Sequence, residues 1–354
     1  MTKYNFSDSK CLILDVRSIT QLIYMSSVFE DRIFHVNTIL IWKGKASTLK
    51  LAEKFFTMPK NCYILDINIQ DSKLMFNPKV ISKIKKLYKK INNKYKYIEL
   101  SSSFASGFYF ELLKHYLGAK DESIIQFDDG LINGFVQKKK YRIIRFIMNM
   151  MHGFLYFPSE YSLFSDKRFN KIFTSINPQN IISSNNKNIV DISKDVTLTF
   201  TKLSKKYINI STPNSALIMT APTIEGGRMT KNEYQKLILT VYSKLKNFGI
   251  KKIYLSKHPS EKKMSDLLYK KLGFDFTYAN YPSELIMLNK NISLIVNPIN
   301  STILMSEYFG LLNNKSNVIS YVPNNSPFID IRINKINEIL SKNNVNHHLI
   351  NSNE

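Results

Sequence analysis

Short apolar runs alternate with helically spaced segments along most of this chain, and that alternation limits its fold more than any other feature. Runs at 11–15, 36–42, 62–67, 97–100 and 123–127 have the length and apolarity of buried strands. Between them, 18–29, 47–56, 80–91 and 104–117 carry apolar residues three or four apart. In the third of these, Val80, Ile81, Ile84, Leu87 and Ile91 share one face and lysines fill the other. A second series follows, with strands expected at 216–220, 253–255, 292–296 and 318–321 and a short one at 274–278. Its helices are expected at 231–247, 261–272, 282–287, 303–308 and 331–340. Strands that alternate with helices predict an α/β fold of parallel sheets covered on both faces.

The chain has 354 residues, enough for two such domains. The expected division is 1–195 for the first Rossmann-like domain and 205–325 for the second, with 326–354 a C-terminal helix and flexible tail. Between 128 and about 176 the alternation loosens. There Lys138-Lys-Lys-Tyr-Arg-Ile-Ile-Arg145 runs into an apolar segment rich in Met and aromatics, 146–157. That segment reads as a core helix with a solvated basic end; the functional alternative is a face that meets a membrane surface or an acceptor.

The formal charge is +23 and the pI about 9.7. Such a bias suits a polyanionic partner, either nucleic acid, anionic lipid or acidic glycan. The Lys-, Asn- and Ile-rich composition produces the same charge on solvated faces without any partner. No nucleic-acid-binding signature accompanies it, so no nucleic acid is expected. No apolar run reaches the length of a membrane span, and the N-terminus lacks an apolar signal core. Cys11 and Cys62 both lie in strand-like runs and read as buried thiols. A cytoplasmic protein is expected, with peripheral contact at an anionic inner membrane face in reach of its charge.

Three places after expected strands carry chemistry. Phe127 is followed by Asp128-Asp129-Gly130: two adjacent carboxylates on a turn, one of which can serve as a general base. The run 253–255 ends in Ser256-Lys257-His258-Pro259, a strand that delivers a basic pair to a sheet edge. Ser301-Thr302 opens a helix, where hydroxyls and free amides can hold an anion. Each has a bland reading: an Asp-Gly turn, a surface histidine, an N-cap.

In order and spacing the three together resemble the motifs of bacterial sialyltransferases, of the lipooligosaccharide sialyltransferase and capsule polysialyltransferase type. Those families carry an Asp/Glu-Asp/Glu-Gly motif, a His-Pro motif and a late Ser/Thr pair. The resemblance implies a GT-B fold, with two Rossmann-like domains facing across a cleft. It also implies inverting, metal-independent transfer of sialic acid from CMP-Neu5Ac to a bacterial surface glycan. Asp128 or Asp129 would deprotonate the acceptor hydroxyl, and His258 would protonate the departing CMP phosphate. Ser301 and Thr302 would hold that phosphate, and Glu284 would bond the cytidine ribose hydroxyls. Gly130, Lys257 and Pro259 complete the expected donor site. No cofactor is implied; the partners are the CMP-sugar donor and a glycan or glycolipid acceptor, and a homodimer is compatible. Family members carry a Thr-Pro-Leu-Gln type turn after the first strand, where this chain reads Ser18-Ile-Thr-Gln21. The acceptor, its linkage and the number of residues added stay open. A CMP-Kdo transferase would show the same nucleotide site. A non-catalytic basic module binding nucleic acid or a polyanionic glycan is the alternative from another class.

Overall fold

The structure is a computed structural model. It describes residues 10–29, 37–44, 46–64, 78–92, 97–102, 124–127, 143, 146, 147, 150, 171–174, 189–225, 227, 229–258, 261, 265–298, 317–322 and 346–351. The chain divides into two compact units, Met1–Thr199 and Phe200–Glu354.

The first unit runs β1 (Lys10–Val16), α1 (Ile19–Phe29), β2 (Thr38–Trp42), α2 (Ala46–Phe55), β3 (Asn61–Ile64), α3 (Pro78–Asn92), β4 (Tyr97–Ser102), β5 (Ile124–Phe127), β6 (Lys171–Thr174) and β7 (Ile189–Asp191). α4 (Ser193–Tyr207) follows and carries the division. The strands form one parallel sheet in the order β3-β2-β1-β4-β5-β6-β7. The chain winds outward from β1 in both directions, so the order reverses between β1 and β4. A central parallel strand must be apolar on both faces, and Cys11, Leu12, Ile13 and Leu14 are all buried. On α3 the expected face is the one buried: Ile84, Leu87 and Ile91 are inside while Lys83, Lys85 and Lys86 are exposed.

The Ser18-Ile-Thr-Gln21 turn starts α1 by a capping arrangement. The Gln21 N–H donates to Ser18 Oγ at 3.2 Å, and the Arg17 N–H donates to Gln21 Oε1 at 2.7 Å. A Ser with a Gln three residues on satisfies the free amides of a first helical turn in this way. The missing proline therefore leaves the start of the helix intact.

The second unit contains β8 (Ser215–Met219), α5 (Lys231–Asn247), β9 (Lys252–Ser256), α6 (Asp266–Lys271), α7 (Ser283–Met287), β10 (Ile292–Pro298), β11 (Asn317–Val322) and β12 (Asn346–Asn351). Its sheet is also parallel, in the order β12-β11-β10-β8-β9, and reverses between β8 and β10. A capping box begins α5: Thr230 Oγ1 accepts from the Glu233 N–H, and the Glu233 carboxylate accepts from the Thr230 N–H. Gly249, at φ 67°, ends it in a conformation that costs other residues strain. Tyr234, Leu237, Ile238, Val241 and Leu245 of α5 pack with Ala216, Ile218, Ile253, Leu255, Leu294 and Val296 of the sheet. Burying each large aliphatic side chain stabilises by about 1.5–3 kcal/mol.

Three expectations are corrected, and one helix was not anticipated. α4 was hidden behind Val196-Thr-Leu-Thr-Phe-Thr201, which alternates as a strand would. In the structure Val196 and Phe200 are buried but Leu198 is 44% exposed, so the period is helical. Thr197 and Thr199 donate their hydroxyls to the carbonyls four residues back, at 2.8 and 2.9 Å. The segment 274–278 forms no strand; Asp275 makes an isolated bridge to Tyr254. The helix expected from 261 begins, among the described residues, at Asp266, and Glu261 precedes it as a buried side chain. The stretch 346–351, expected within a flexible tail, is β12, paired with β11. Its polar Asn-His-His start concealed it. An edge strand needs only one buried face, which Ile350 supplies, while a His347 ring nitrogen bonds Ser320 Oγ at 2.9 Å.

Of the apolar segment expected to pack as a core helix, Phe146, Ile147 and Met150 are described and helical, as is Ile143 in the basic run before it. Ile143, Ile147 and Met150 are each more than 40% exposed. Among the described residues, no helix is long and apolar enough to cross a membrane.

Candidate functional site

Ligands of open parallel sheets bind outside the C-terminal strand edge, where the strand order reverses. In the second unit that edge holds Thr220 after β8, Lys257 and His258 after β9, and Asn297 at the end of β10. The Lys252–Ser256 strand is buried from Ile253 to Ser256, which fixes where the residues beyond it emerge. The Lys257 N–H donates to the Ala279 carbonyl at 2.7 Å, and Ser256 Oγ donates to the Tyr281 carbonyl at 3.3 Å.

His258 is exposed at the surface, but its backbone is not loose. Its N–H donates to Thr220 Oγ1 at 3.0 Å, and its carbonyl accepts the Glu261 N–H at 2.9 Å. Thr220 Oγ1 in turn donates to Glu261 Oε2. Tyr269 of α6 donates to Glu261 Oε1 at 2.8 Å, and its oxygen lies 2.6 Å from Tyr234 OH of α5. A carboxylate can only accept. The Thr220 and Tyr269 protons are thus both directed at Glu261, and Tyr234 donates to Tyr269.

The electrostatics follow from this packing. Crowding by protein atoms lowers the His258 pKa below its ordinary value, and Glu225 opposes that. The ring keeps contact with solvent, so the desolvation is partial. Burial raises the Glu261 pKa, with the Thr220 and Tyr269 hydrogen bonds working against it. Burial also raises the Glu284 carboxyl, opposed by its own backbone N–H and by Ser283 Oγ at 3.3 Å. Glu284 sits in the first turn of α7, as expected of a carboxylate near a helix N-terminus.

Lys257 does not stand ready for an anion. Its ammonium is 2.6 Å from Asp266 Oδ1, at the start of α6, and the pair is half-buried. Asp128, Asp129, Gly130, Pro259, Ser301 and Thr302 lie outside the described residues. Of the expected site residues, His258, Lys257 and Glu284 are described; the structure ties His258 to Thr220 and Glu261 and pairs Lys257 with Asp266, three residues the sequence did not single out, and places Glu284 separately on α7. Glu261 had a signal: it stands three residues after His258, the reach of a tight turn.

The corresponding edge of the first unit holds a second polar cluster. Lys43 Nζ lies 2.6 Å from both Asp15 carboxylate oxygens, and Ser102 Oγ donates to Asp15 Oδ2 at 2.8 Å. Asp15 and Ser102 are register partners on β1 and β4, where that sheet's order reverses. The Lys43 and Asp15 side chains are 2% and 3% exposed. Burial lowers the Lys43 pKa despite the adjacent Asp15 charge.

No protein-family model and no curated protein sequence matches this chain at a significant level. Solved structures match its fold over nearly the whole length. A UDP-GlcNAc 2-epimerase from Methanocaldococcus jannaschii, in complex with UDP-GlcNAc and UDP, is 17% identical at a TM-score of 0.54, covering 97% of this chain and 89% of that one. An alpha/beta-galactoside alpha-2,3-sialyltransferase from Photobacterium phosphoreum is 12% identical at a TM-score of 0.53, covering 96% and 99%. These likenesses and the two parallel sheets define the class: a GT-B-type fold of two Rossmann-like α/β domains.

Proposed function

We propose that this chain is a glycosyltransferase that moves sialic acid from CMP-Neu5Ac to a hydroxyl of a bacterial surface glycan, with inversion and without a metal. The observation that carries the reading is the His258 turn. An exposed imidazole is held on a hydrogen-bonded backbone at the C-terminal edge of a parallel sheet, in a chain whose Asp-Asp-Gly, His-Pro and Ser-Thr motifs follow in sialyltransferase order. A sialyltransferase among the solved structures of the same fold supports it.

In this reading Asp128 or Asp129 takes the proton of the acceptor hydroxyl, whose oxygen attacks the anomeric carbon as the bond to the CMP phosphate oxygen breaks. CMP leaves as a phosphate monoester whose new charge must be neutralised. His258 gives it a proton; an approaching phosphate favours the imidazolium and reverses the lowering caused by crowding. Ser301 and Thr302 hold the phosphate, Glu284 takes the ribose hydroxyls, and Gly130 and Pro259 belong to the donor site. Lys257 contributes through its pair with Asp266, which ties the His258 turn to α6. The exposed Ile143, Ile147 and Met150, beside a basic run, support peripheral contact with an anionic membrane face.

The likeness to UDP-GlcNAc 2-epimerase supports a second reading, a nucleotide-sugar epimerase. Incubation with CMP-Neu5Ac, CMP-Kdo or UDP-GlcNAc, with and without a galactoside acceptor, separates the readings. The sialyltransferase releases CMP from the first alone, the Kdo transferase from the second, and the epimerase changes only the third.

A further inference from the structure

We infer that Glu261 is the positioning residue of His258. The inference rests on the proposed role of His258 as leaving-group acid. Its ground is the way one buried side chain controls both ends of a short turn. The backbone of Glu261 holds the His258 carbonyl at 2.9 Å. Its carboxylate fixes the Thr220 hydroxyl, which accepts the His258 N–H at 3.0 Å.

A threonine hydroxyl is a rotor that can donate or accept in several directions. An acceptor-only carboxylate removes that freedom: the Thr220 proton points at Glu261, and a lone pair is left facing His258. Tyr269, backed by Tyr234, holds the other carboxylate oxygen at 2.8 Å and keeps the carboxylate from turning away. Glu261 and Thr220 are 8% and 4% exposed, so water does not replace the missing partner when one is removed. Five elements or their ends converge on this turn: β8 through Thr220, β9 through His258, the connection before α6 through Glu261, α6 through Tyr269 and α5 through Tyr234. Thr220, Glu261, Tyr269 and Tyr234 are not among the residues proposed to contact the donor. Their effect on the reaction passes through the place of one imidazole, and a small misplacement of an acid is costly when the proton moves in the transition state.

Thr220→Val keeps shape and removes the hydroxyl; Thr220→Ser keeps the hydroxyl. Glu261→Gln keeps shape and frees the rotor. In the full chain with CMP-Neu5Ac, Thr220→Val and Glu261→Gln each lower kcat about tenfold, the size of one hydrogen bond, while KM for the donor stays within about twofold. Thr220→Ser restores kcat to within about threefold of wild type. A role confined to packing lowers the melting temperature of Thr220→Val and leaves kcat unchanged, which overturns the inference. His258→Ala is the separate arm. If it retains CMP release, the leaving-group reading fails; if it loses release while Thr220→Val and Glu261→Gln keep wild-type kcat, only the role of Glu261 fails.

Discussion

The two sheets end in polar clusters of opposite design. At the C-terminal ends of β1, β2 and β4, Asp15, Lys43 and Ser102 bond one another through Asp15 Oδ2 and are shut away from solvent. Past β8 and β9, Glu261, Thr220 and Tyr269 are equally buried, but their bonds end on the backbone of an exposed histidine. The first cluster uses charge inside a closed sheet edge, and the second uses it to hold the backbone of an exposed histidine in place. Similar residue types at similar topological positions thus serve different ends, decided by whether the last group in the chain of bonds reaches solvent.

The comparison is broken first by His258→Ala. An exposed side chain contributes within about 0.5 kcal/mol to stability, whereas loss of a general acid costs about 10²–10⁴-fold in rate. CMP release should therefore vanish while urea unfolding is nearly unchanged. Lys43→Met has the opposite signature. It leaves Asp15 buried without its countercharge and should cost about 3–5 kcal/mol in urea denaturation, and Asp15→Leu in the same chain should recover most of it. If Lys43→Met unfolds at the wild-type urea concentration, the buried pair is not what stabilises that edge.

A pH series sharpens the contrast further. The folded pKa of Glu261 is raised above its ordinary 4.5 by burial. Between those two values the native state holds more protons than the unfolded chain, so stability from this residue falls as pH rises through the window and the penalty is full above it. Glu261→Gln should therefore lose less stability than wild type as pH rises from 4.5 through the raised folded pKa. Parallel unfolding curves for the two proteins would place Glu261 in a solvated site. The smallest effect belongs to Lys257→Met. A single, partly solvated ion pair contributes up to about 1 kcal/mol, so this variant should fold normally, with a small loss in kcat if the pair steadies the turn.

Most of the described strands, though not their order, were legible because buried parallel strands must be apolar runs, and 11–15, 216–220 and 292–296 could be little else. What escaped were elements whose local signal contradicted their environment. α4 carried threonines in a strand-like alternation, and only the burial of Val196 and Phe200 against an exposed Leu198 reveals its period. β12 was polar because it lies at an edge. At the site, the sequence pointed to His258 because a strand delivers it, but not to Thr220, which lies 38 residues earlier on the neighbouring strand's exit. Hydrogen-bond partners brought together by parallel pairing leave no trace in spacing. Lys257 reads as free in the sequence for the same reason: its partner Asp266 becomes visible only once the turn is folded.

The most direct test of the whole account is CMP release measured on the full chain with CMP-Neu5Ac and a galactoside acceptor, in wild type and in the Asp128→Ala/Asp129→Ala and His258→Ala variants. The account predicts CMP and a sialylated product from the wild type and neither from the two variants. A wild-type chain that releases no CMP from CMP-Neu5Ac, or a double aspartate variant with full turnover, would contradict it.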